Sequence, residues 1–477
     1  MKSSYRVAIL AALCFACSSN KSGSSGSSTG ATGATGSTTS TTTSSGTGGS
    51  SGTDTTGSTG ANASSGSSGT SASTGTGAST GSSGSTGNDA GFVIAQHPPM
   101  PQVQNPNHGP VLTSPTITAV TFDGDPLRAQ LEAFVENIGG SSYWAAALPE
   151  YGVGPASAGA PVELAVGTGP GDGGSTFDDT DIQKWLVSNL SADDGGWGGP
   201  PSDSIYSFFF PAGTTITYQS NTLCAQGSLG GAIGGYHGYV VLDGGTHVAY
   251  AVVPRCAGTG ASALDDTTST ASHEFGEAAS DPYQDDAGYL TVAPEDFAWS
   301  VAGGEIGDLC ELRPDAQYFD TEIGAEVQRL WSNSSAAASH DPCLPILPDA
   351  GPFFCSAPVL STINIPFSGL PPFKALKMSV GQTTTVELDS WSDAPMPAWN
   401  AIPYDVATAF GEDAGFSFNP AILSGANGDH LNVDVTLLRT PDLGPFTGAF
   451  AVISAPQGAT STAQSKCLWP VLVYAGP

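Results

Sequence analysis

Basic residues are scarce in this chain of 477 residues: 12 lysines and arginines stand beside 43 aspartates and glutamates. The formal net charge is −31 at pH 7, although charged residues make up only 12% of the sequence. A surface this acidic repels the phosphates of nucleic acids and the headgroups of anionic lipids. The composition therefore argues against a nucleic-acid partner and favours a soluble protein outside the cytoplasm.

Several common signatures of enzyme chemistry are also missing. The sequence has no G-x-x-x-x-G-K-[ST] loop for nucleotide phosphates and no strand followed by G-x-G-x-x-G and a distal acid. It has no calcium loop of the form D-x-[DN]-x-[DN]-G, and outside residues 18–90 no G-x-S-x-G nucleophile motif. These absences argue against nucleotide-dependent chemistry, a serine nucleophile of the common type and an EF-hand.

The N-terminus has the form of a targeting signal. Lys2 and Arg6 precede an apolar run at 7–16 that is too short to span a membrane as a mature helix. Cys17 follows this run, as in bacterial lipoprotein signals, although Cys14 stands where such signals usually carry leucine. We predict a signal peptide at 1–17 with lipidation of Cys17. The protein would then be a bacterial outer-membrane or cell-surface lipoprotein that contacts the membrane only through its lipid. The alternative is ordinary secretion.

Composition divides the rest of the chain. Residues 18–90 are almost entirely Ser, Gly and Thr, from which no core can be built, so we predict a disordered tether. A globular pattern begins after residue 90, and prolines near residue 348 are typical of a linker. We therefore predict domains at 91–347 and 348–477.

Six cysteines remain once Cys14 and Cys17 are assigned to the signal and the lipid. An even number of cysteines in an exported protein indicates disulfides. None of these six cysteines stands in a C-x-x-C motif, so a cysteine-based zinc site is not expected. Proximity in sequence favours three pairs, although free buried thiols are the alternative. The favoured pairs are Cys224–Cys256, Cys310–Cys343 and Cys355–Cys467.

The first globular part alternates strands and helices. Strands rich in β-branched or aromatic residues are expected at 116–122, 162–166 and 205–210, and helices after Asp125 and over 179–189. Two apolar runs around Gly244-Gly245 predict a hairpin. This pattern predicts an α/β or α+β domain with a mixed sheet. Short strand-like runs separated by turns over residues 355–477 predict a second, all-β domain, an immunoglobulin-like sandwich.

The motif H-E-x-x-E at 273–277 points to metal chemistry. On a helix, His273 and Glu277 lie on one face, in the layout of the H-E-x-x-H zinc helix with a carboxylate for the second imidazole. Zinc accepts both ligand types. We expect this helix to begin near Asp265 or Asp266 and to end at Asp281-Pro282. The plain alternative is a helix surface with two solvated glutamates.

A catalytic zinc needs a third protein ligand. Glu305 is the first candidate, His237 is the competing one, and Asp308 is placed to orient His273 by a hydrogen bond from outside the coordination sphere. Glu274 would be the general base on the water that the metal activates. This arrangement resembles the gluzincin metallopeptidases, in which a downstream Glu completes the zinc helix and an Asp follows.

Several motifs in one order give a wider resemblance. Over residues 115–345, the chain resembles the plant phosphate-induced protein family, also called exordium-like. The shared motifs are S-x-Y-W (141–144), Y-G-x-G (151–154), G-Y-H (235–237), the H-E-x-x-E and D-P of 273–282, and E-I-x-D-L-C (305–310). Phe275 replaces an aliphatic residue of that family, and the family lacks the sandwich domain. The resemblance implies an extracellular protein with a metallopeptidase-like motif.

Two functions remain open at this stage. The first is a surface-anchored zinc metallohydrolase, and the activity we expect is that of a peptidase acting on a peptide or protein substrate. The alternative is a non-catalytic extracellular exordium-like binding or cell-surface protein, in which the metal is structural or absent.

Overall fold

A computed structural model describes residues 91–165, 168–170, 175–191, 197, 200, 203–219, 221–225, 234–256, 263–365, 371–409, 412–440, 448–459 and 464–474. The predicted signal peptide, the lipidated Cys17 and the tether lie outside these residues. Within the described part of the chain, no helix is long and apolar enough to cross a membrane. Residues 92–477 form one compact unit.

The described residues are mostly β-sheet, with few helices. The helices are α1 (Arg128–Ile138), α2 (Ser142–Ala147), α3 (Asp179–Leu190), α4 (Ala263–Ser280), α5 (Asp308–Glu311), α6 (Asn333–Ala337), α7 (Val406–Ala409) and the 3-10 helices Pro149–Tyr151 and Pro294–Ala302. The strands before residue 348 are β1 (Val103–Gln104), β2 (Thr116–Phe122), β3 (Ser157–Ala158), β4 (Val162–Leu164), β5 (Thr176–Asp178), β6 (Ser204–Phe210), β7 (Thr215–Tyr218), β8 (Asn221–Thr222), β9 (Tyr236–Val241), β10 (His247–Pro254), β11 (Thr291–Val292), β12 (Gln317–Asp320), β13 (Ala325–Gln328), β14 (Leu330–Trp331) and β15 (Cys343–Leu344).

The main sheet of this part is mixed, as predicted. Its strand order is β3-β2-β6-β10-β9, with β4 also paired to β2. The strands β2, β6 and β10 run parallel, whereas β9 returns antiparallel to β10 as the predicted hairpin. Every residue of β6 is buried, which is typical of an inner parallel strand covered on both faces.

Apolar layers cover both faces of this sheet. On one face, α1 and α4 contribute Phe134 and Phe275, whose rings lie 6.0 Å apart. On the other face, α3 contributes Ile182 and Leu186 to a second core. The helix α4 begins at Ala263, earlier than the predicted start at Asp265 or Asp266. Both acids lie instead in its first turn, where the helix dipole also favours negative charge.

The C-terminal part contains two curled sheets, compatible with the predicted β-sandwich. Its strands are β16 (Phe354–Pro358), β17 (Thr362–Ile363), β18 (Phe373–Lys374), β19 (Leu376–Lys377), β20 (Thr383–Ser392), β21 (Trp399–Asp405), β22 (Phe416–Asn419), β23 (Leu423–Gly425), β24 (His430–Leu437), β25 (Gly448–Pro456) and β26 (Cys467–Tyr474). One of these sheets has the order β16-β20-β24-β22 and the other β19-β26-β25-β21-β23, while β17 and β18 form a separate two-stranded sheet. The immunoglobulin-like type stays a prediction.

The two parts share one hydrophobic core. Trp299 and Trp331 of the first part contact each other with ring centroids 5.7 Å apart, and Trp299 lies 5.2 Å from Trp469 of the second. Lys466 also pairs with Asp315 at 3.1 Å. The C-terminal sheets are therefore joined to the first part by buried contacts, and the predicted boundary at 347/348 stays a prediction.

All three predicted cysteine pairs lie at disulfide distance. The pair Cys355–Cys467 joins β16 of one C-terminal sheet to β26 of the other, across 112 residues of sequence. Cys310–Cys343 joins α5 to β15, and Cys310 closely follows the E-I-G-D segment in the sequence. The disulfides therefore hold together elements that are distant in sequence.

We predict that replacing both Cys355 and Cys467 by alanine lowers the free energy of unfolding by about 2–5 kcal/mol, because the unfolded chain gains the freedom of a long loop. Urea unfolding followed by tryptophan fluorescence measures this. A Cys224→Ala/Cys256→Ala control opens a loop of 32 residues and should lose less. An unchanged unfolding midpoint in the first variant would contradict the expected role.

Candidate metal centre

The helix α4 is buried along most of its length because small residues let its neighbours approach. Ala271, Ala278 and Ala279 are fully buried in the core. At Gly276, a Cβ atom would lie 2.6 Å from Leu330 Cδ1 of β14, so no larger residue fits there without movement. The same close packing buries His273, Glu274 and Glu277 on the helix.

Two further side chains meet this face of α4 from other elements. His237 comes from β9, the strand at one edge of the main sheet, and Glu305 comes from the loop before α5. His237 Nδ1 lies 3.5 Å from Glu274 Oε2 and 3.7 Å from Glu277 Oε2. His237 Nε2 lies 3.7 Å from Glu305 Oε2. The fold thus brings both candidates for the third ligand to the H-E-x-x-E helix.

Glu277 is the common member of two groups that could hold a metal ion. One group is His237, Glu277 and Glu305, and the other is His273, Glu274 and Glu277. Within each group, the ligand atoms lie within 4.8 Å of one another. His273 and Glu305, which the sequence placed in one ligand set, fall in different groups. The assignment of these residues to a metal stays a prediction.

Backbone amides hold Glu277 in place. Its Oε1 accepts hydrogen bonds from the backbone N–H groups of Gly307 (3.1 Å) and Asp308 (3.2 Å). At Gly307, a Cβ atom would lie 2.7 Å from that oxygen and 2.8 Å from His273 Nδ1, so the backbone approaches this closely only because residue 307 is glycine. The second oxygen, Oε2, faces Nδ1 of His237 and Nε2 of His273.

Asp308 lies near His273 but does not reach hydrogen-bond distance. Its Oδ1 is 3.7 Å from His273 Nε2, and its Oδ2 accepts from the backbone N–H of Glu305 at 3.1 Å. The closer partner of His273 is Gln328, whose Nε2 lies 2.8 Å from His273 Nδ1. Sequence patterns did not indicate Gln328, because it stands 55 residues from His273 and belongs to no recognised motif. The orienting role of Asp308 stays a prediction.

Two ligand atoms of the cluster are buried without a hydrogen-bond partner among the described residues: His237 Nε2 and Glu305 Oε2. Burying a polar atom without a partner is costly, so such atoms call for an explanation. A cation between them would supply the missing interaction. The residues therefore fit a metal ion, with imidazole nitrogen and carboxylate oxygen as the donors that zinc accepts.

The pKa values indicate an excess of negative charge. Burial and the charge of Glu277 raise the pKa of Glu305 well above its ordinary value, and the same two causes raise the pKa of Asp308. Burial lowers the pKa of His237, but the hydrogen bond to Glu274 and the charge of Glu277 outweigh it and raise the pKa to about 9. The cluster therefore favours any positive charge that enters it.

A cleft with a volume of ≈ 620 Å³ adjoins the cluster, and His237 belongs to both. The outer strand β9 forms one side of the cleft and α3 contributes to another. Buried Asp179 accepts hydrogen bonds from Tyr236 (2.8 Å) and Tyr250 (2.7 Å) beneath it. Three tyrosines line this cleft together with His237: Tyr218, Tyr239 and Tyr250.

Comparison with known proteins does not identify a family with this site. No protein-family model matches the chain, and no curated protein matches it in sequence. The resemblance to the exordium-like family therefore rests on the quoted motifs alone and stays a prediction. Of these motifs, the G-Y-H, H-E-x-x-E and E-I-G-D segments are the ones that meet at the cluster.

We predict that Glu277→Ala removes the bound metal, because Glu277 belongs to both groups. The measurement is zinc content by mass spectrometry on the full chain, purified without a histidine tag and incubated with zinc. The control is Glu387→Ala, which alters an exposed group of Glu387, Asp389 and His430 on the C-terminal sheet and should leave the content of the buried site unchanged. Wild-type zinc content in Glu277→Ala would contradict the site.

Proposed function

We propose that this chain is an exported, surface-anchored zinc metallohydrolase that cleaves peptides. One observation carries the proposal: buried carboxylates and imidazoles converge around two atoms without partners, His237 Nε2 and Glu305 Oε2, beside an accessible cleft. Metal-dependent hydrolysis requires such a combination of ligands and adjoining space. The lipoprotein-like N-terminus and the three cysteine pairs support a location outside the cytoplasm.

The residues of the cluster suit this chemistry. When bound, zinc polarises a carbonyl group and makes water nucleophilic near neutral pH. Glu277 and Glu305 would hold the ion together with an imidazole. Glu274 lies in the same cluster, with a ligand atom within 4.8 Å of those of His273 and Glu277. As general base, Glu274 would take a proton from the attacking water and deliver it to the leaving amine.

The edge of β9 favours a peptide as the substrate. In the hairpin, the N–H of Leu242 donates to the carbonyl of Thr246 at 2.8 Å, which makes them a hydrogen-bonded pair. In an antiparallel pair such positions alternate, so the backbone groups of Tyr239 and Val241 point away from β10. Gln284 donates to the carbonyl of His237 at 3.3 Å on this same outer edge.

Among the described residues, no strand pairs with the outer edge of β9. An unpaired edge presents N–H and C=O groups to an extended peptide, which can bind as an added strand. A peptide bound there would run along the cleft and past His237, bringing a peptide bond to the cluster. The net charge of −31 further favours peptides with basic residues.

A specific observation also favours the alternative of a non-catalytic protein with a structural metal. His237, Glu274 and Glu277 are each at least nine-tenths buried, and structural metal sites are usually closed. Under this alternative, the chain binds a partner at the cell surface and the ion only stabilises the fold. The contribution of Glu274 separates the two functions, because a structural site needs no general base.

We predict that Glu274→Gln keeps its zinc but cleaves peptides about 10²–10⁴-fold more slowly, because the amide cannot accept the proton. A pool of capped ten-residue peptides, analysed by mass spectrometry, measures cleavage, and metal content is measured on the same sample. The variant Glu387→Gln is the control. Full activity in Glu274→Gln with zinc bound would contradict the assignment. Zinc-loaded wild-type protein that cleaves no member of the pool would favour the structural alternative.

We predict that Val241→Pro lowers kcat/KM for these peptides about tenfold. Proline removes an N–H that points away from β10, and edge strands tolerate proline at such positions. The control Val241→Ala keeps the N–H and removes most of the exposed side chain. Both variants should retain the wild-type zinc content and melting temperature. Equal kcat/KM in the proline variant and the alanine control would rule out binding along this edge.

A further inference from the structure

We propose that Gln328 fixes His273 as a hydrogen-bond donor to Glu277, so that His237, Glu277 and Glu305 are the metal ligands and His273 is not. This inference rests on the proposed function, because it concerns the same metal ion. Gln328 belongs to no recognised motif, and its contact with His273 distinguishes the two imidazoles of the cluster.

Gln328 is held tightly at the end of β13. Its side chain is buried, and its backbone N–H donates to Ser272 Oγ at 2.8 Å, next to His273 on α4. The side-chain Nε2 makes two contacts: 2.9 Å to the carbonyl oxygen of Gly307 and 2.8 Å to His273 Nδ1. The glutamine therefore links α4 to the loop that carries Glu305 and Asp308.

The carbonyl of Gly307 decides which way the amide of Gln328 points. A carbonyl oxygen can only accept, so the amide atom facing it must be the nitrogen, which carries two hydrogens. The second hydrogen then points to His273 Nδ1. Turning the amide around would place two oxygen atoms against each other at this distance. Nδ1 of His273 is therefore the acceptor.

An imidazole that accepts at Nδ1 carries its proton on Nε2 when it is neutral. Nε2 of His273 faces two carboxylate oxygens that suit a donor: Glu277 Oε2 at 3.1 Å and Asp308 Oδ1 at 3.7 Å. A metal could bind this nitrogen only if the proton moved to Nδ1, and the N–H of Gln328 that faces Nδ1 opposes that move. His273 thus holds Glu277 from one side, while the amides of Gly307 and Asp308 hold it from the other.

His237 has the opposite arrangement. Its Nε2 has no hydrogen-bond partner among the described residues and lies 3.7 Å from Glu305 Oε2, which also has none. Its Nδ1 faces the carboxylates of Glu274 and Glu277. A ligating histidine usually donates its second ring nitrogen to a carboxylate or carbonyl group. The carboxylates facing Nδ1 of His237 favour a proton there, so Nε2, which has no hydrogen-bond partner among the described residues, can give up its proton and bind the ion.

The first test counts imidazoles around zinc in the full chain by X-ray absorption spectroscopy and reads the histidine tautomers by ¹⁵N NMR. We expect one imidazole per zinc, and His273 protonated on Nε2 both with and without zinc. Two imidazoles per zinc, or a proton on Nδ1 of His273, would overturn the inference while leaving the proposed function intact. A protein that binds no zinc would overturn the ligand set and the proposed function together.

The second test changes the affinity for zinc. His273→Ala should weaken binding about 10–100-fold, as is typical for a residue that orients a ligand, and His237→Ala should weaken it further than that. Competition with a chromogenic chelator measures both. The reverse order of losses would overturn the inference. Near-UV circular dichroism tests whether each variant is folded. If one variant is unfolded, the number of imidazoles per zinc in the wild-type protein decides whether His273 is a ligand.

The third test acts through Gln328 itself. In Gln328→Glu, a protonated carboxyl group can donate to the Gly307 carbonyl, and its oxygen can accept from Nδ1–H of His273. This frees Nε2 of His273, so the count should rise from one imidazole per zinc to two. Gln328→Met removes the amide without adding an acceptor at Nδ1, and its count should remain at one. An unchanged tautomer of His273 in a folded Gln328→Glu variant would overturn the positioning role of Gln328.

Discussion

The site depends on an electrostatic constraint: carboxylates are gathered in a buried place with little positive charge to balance them. Glu274, Glu277, Glu305 and Asp308 meet there, and in the described part of the chain their ion pairs are with histidines. Burial raises the cost of each negative charge, as the raised pKa values of Glu305 and Asp308 show. A divalent cation relieves this cost, and a protein without one would have to retain protons instead.

The fold supplies what this arrangement needs. The small residues of α4 let β13 and β14 pack closely, and Gly307 brings backbone amides to Glu277. The edge strand β9 adds His237 on the opposite side of the cluster. Cys310–Cys343 secures α5, which begins at Asp308. Ligands from a strand, a helix and a loop therefore converge, although they are far apart in sequence.

Much of this could be predicted from local patterns. The periodicity of apolar residues located α1, α3 and β6, Gly244-Gly245 marked the hairpin, and H-E-x-x-E marked the site helix, because each signal is contained in a short segment. The three cysteine pairs agreed with the simplest pairing by proximity. Glu305 was predicted as the third ligand and His237 as the competing one, because each stands in a short segment before or after the helix.

Other features depend on contacts that no local pattern encodes. Gln328 meets His273 across 55 residues, so only the packing of β13 on α4 reveals it. The choice between the two imidazoles depends on the orientation of one amide group. The C-terminal sheets share a core with the first part through Trp299 and Trp469, a contact that the composition of the two predicted domains did not indicate.

The most direct measurement is an anomalous difference map at the zinc absorption edge, from crystals of the full chain grown with zinc. We expect one strong peak about 2.0–2.2 Å from His237 Nε2 and from carboxylate oxygens of Glu277 and Glu305. His273 should be hydrogen-bonded to Glu277 and should not contact the ion. A map without a peak at this cluster, or with zinc only at the exposed group around His430, would contradict it.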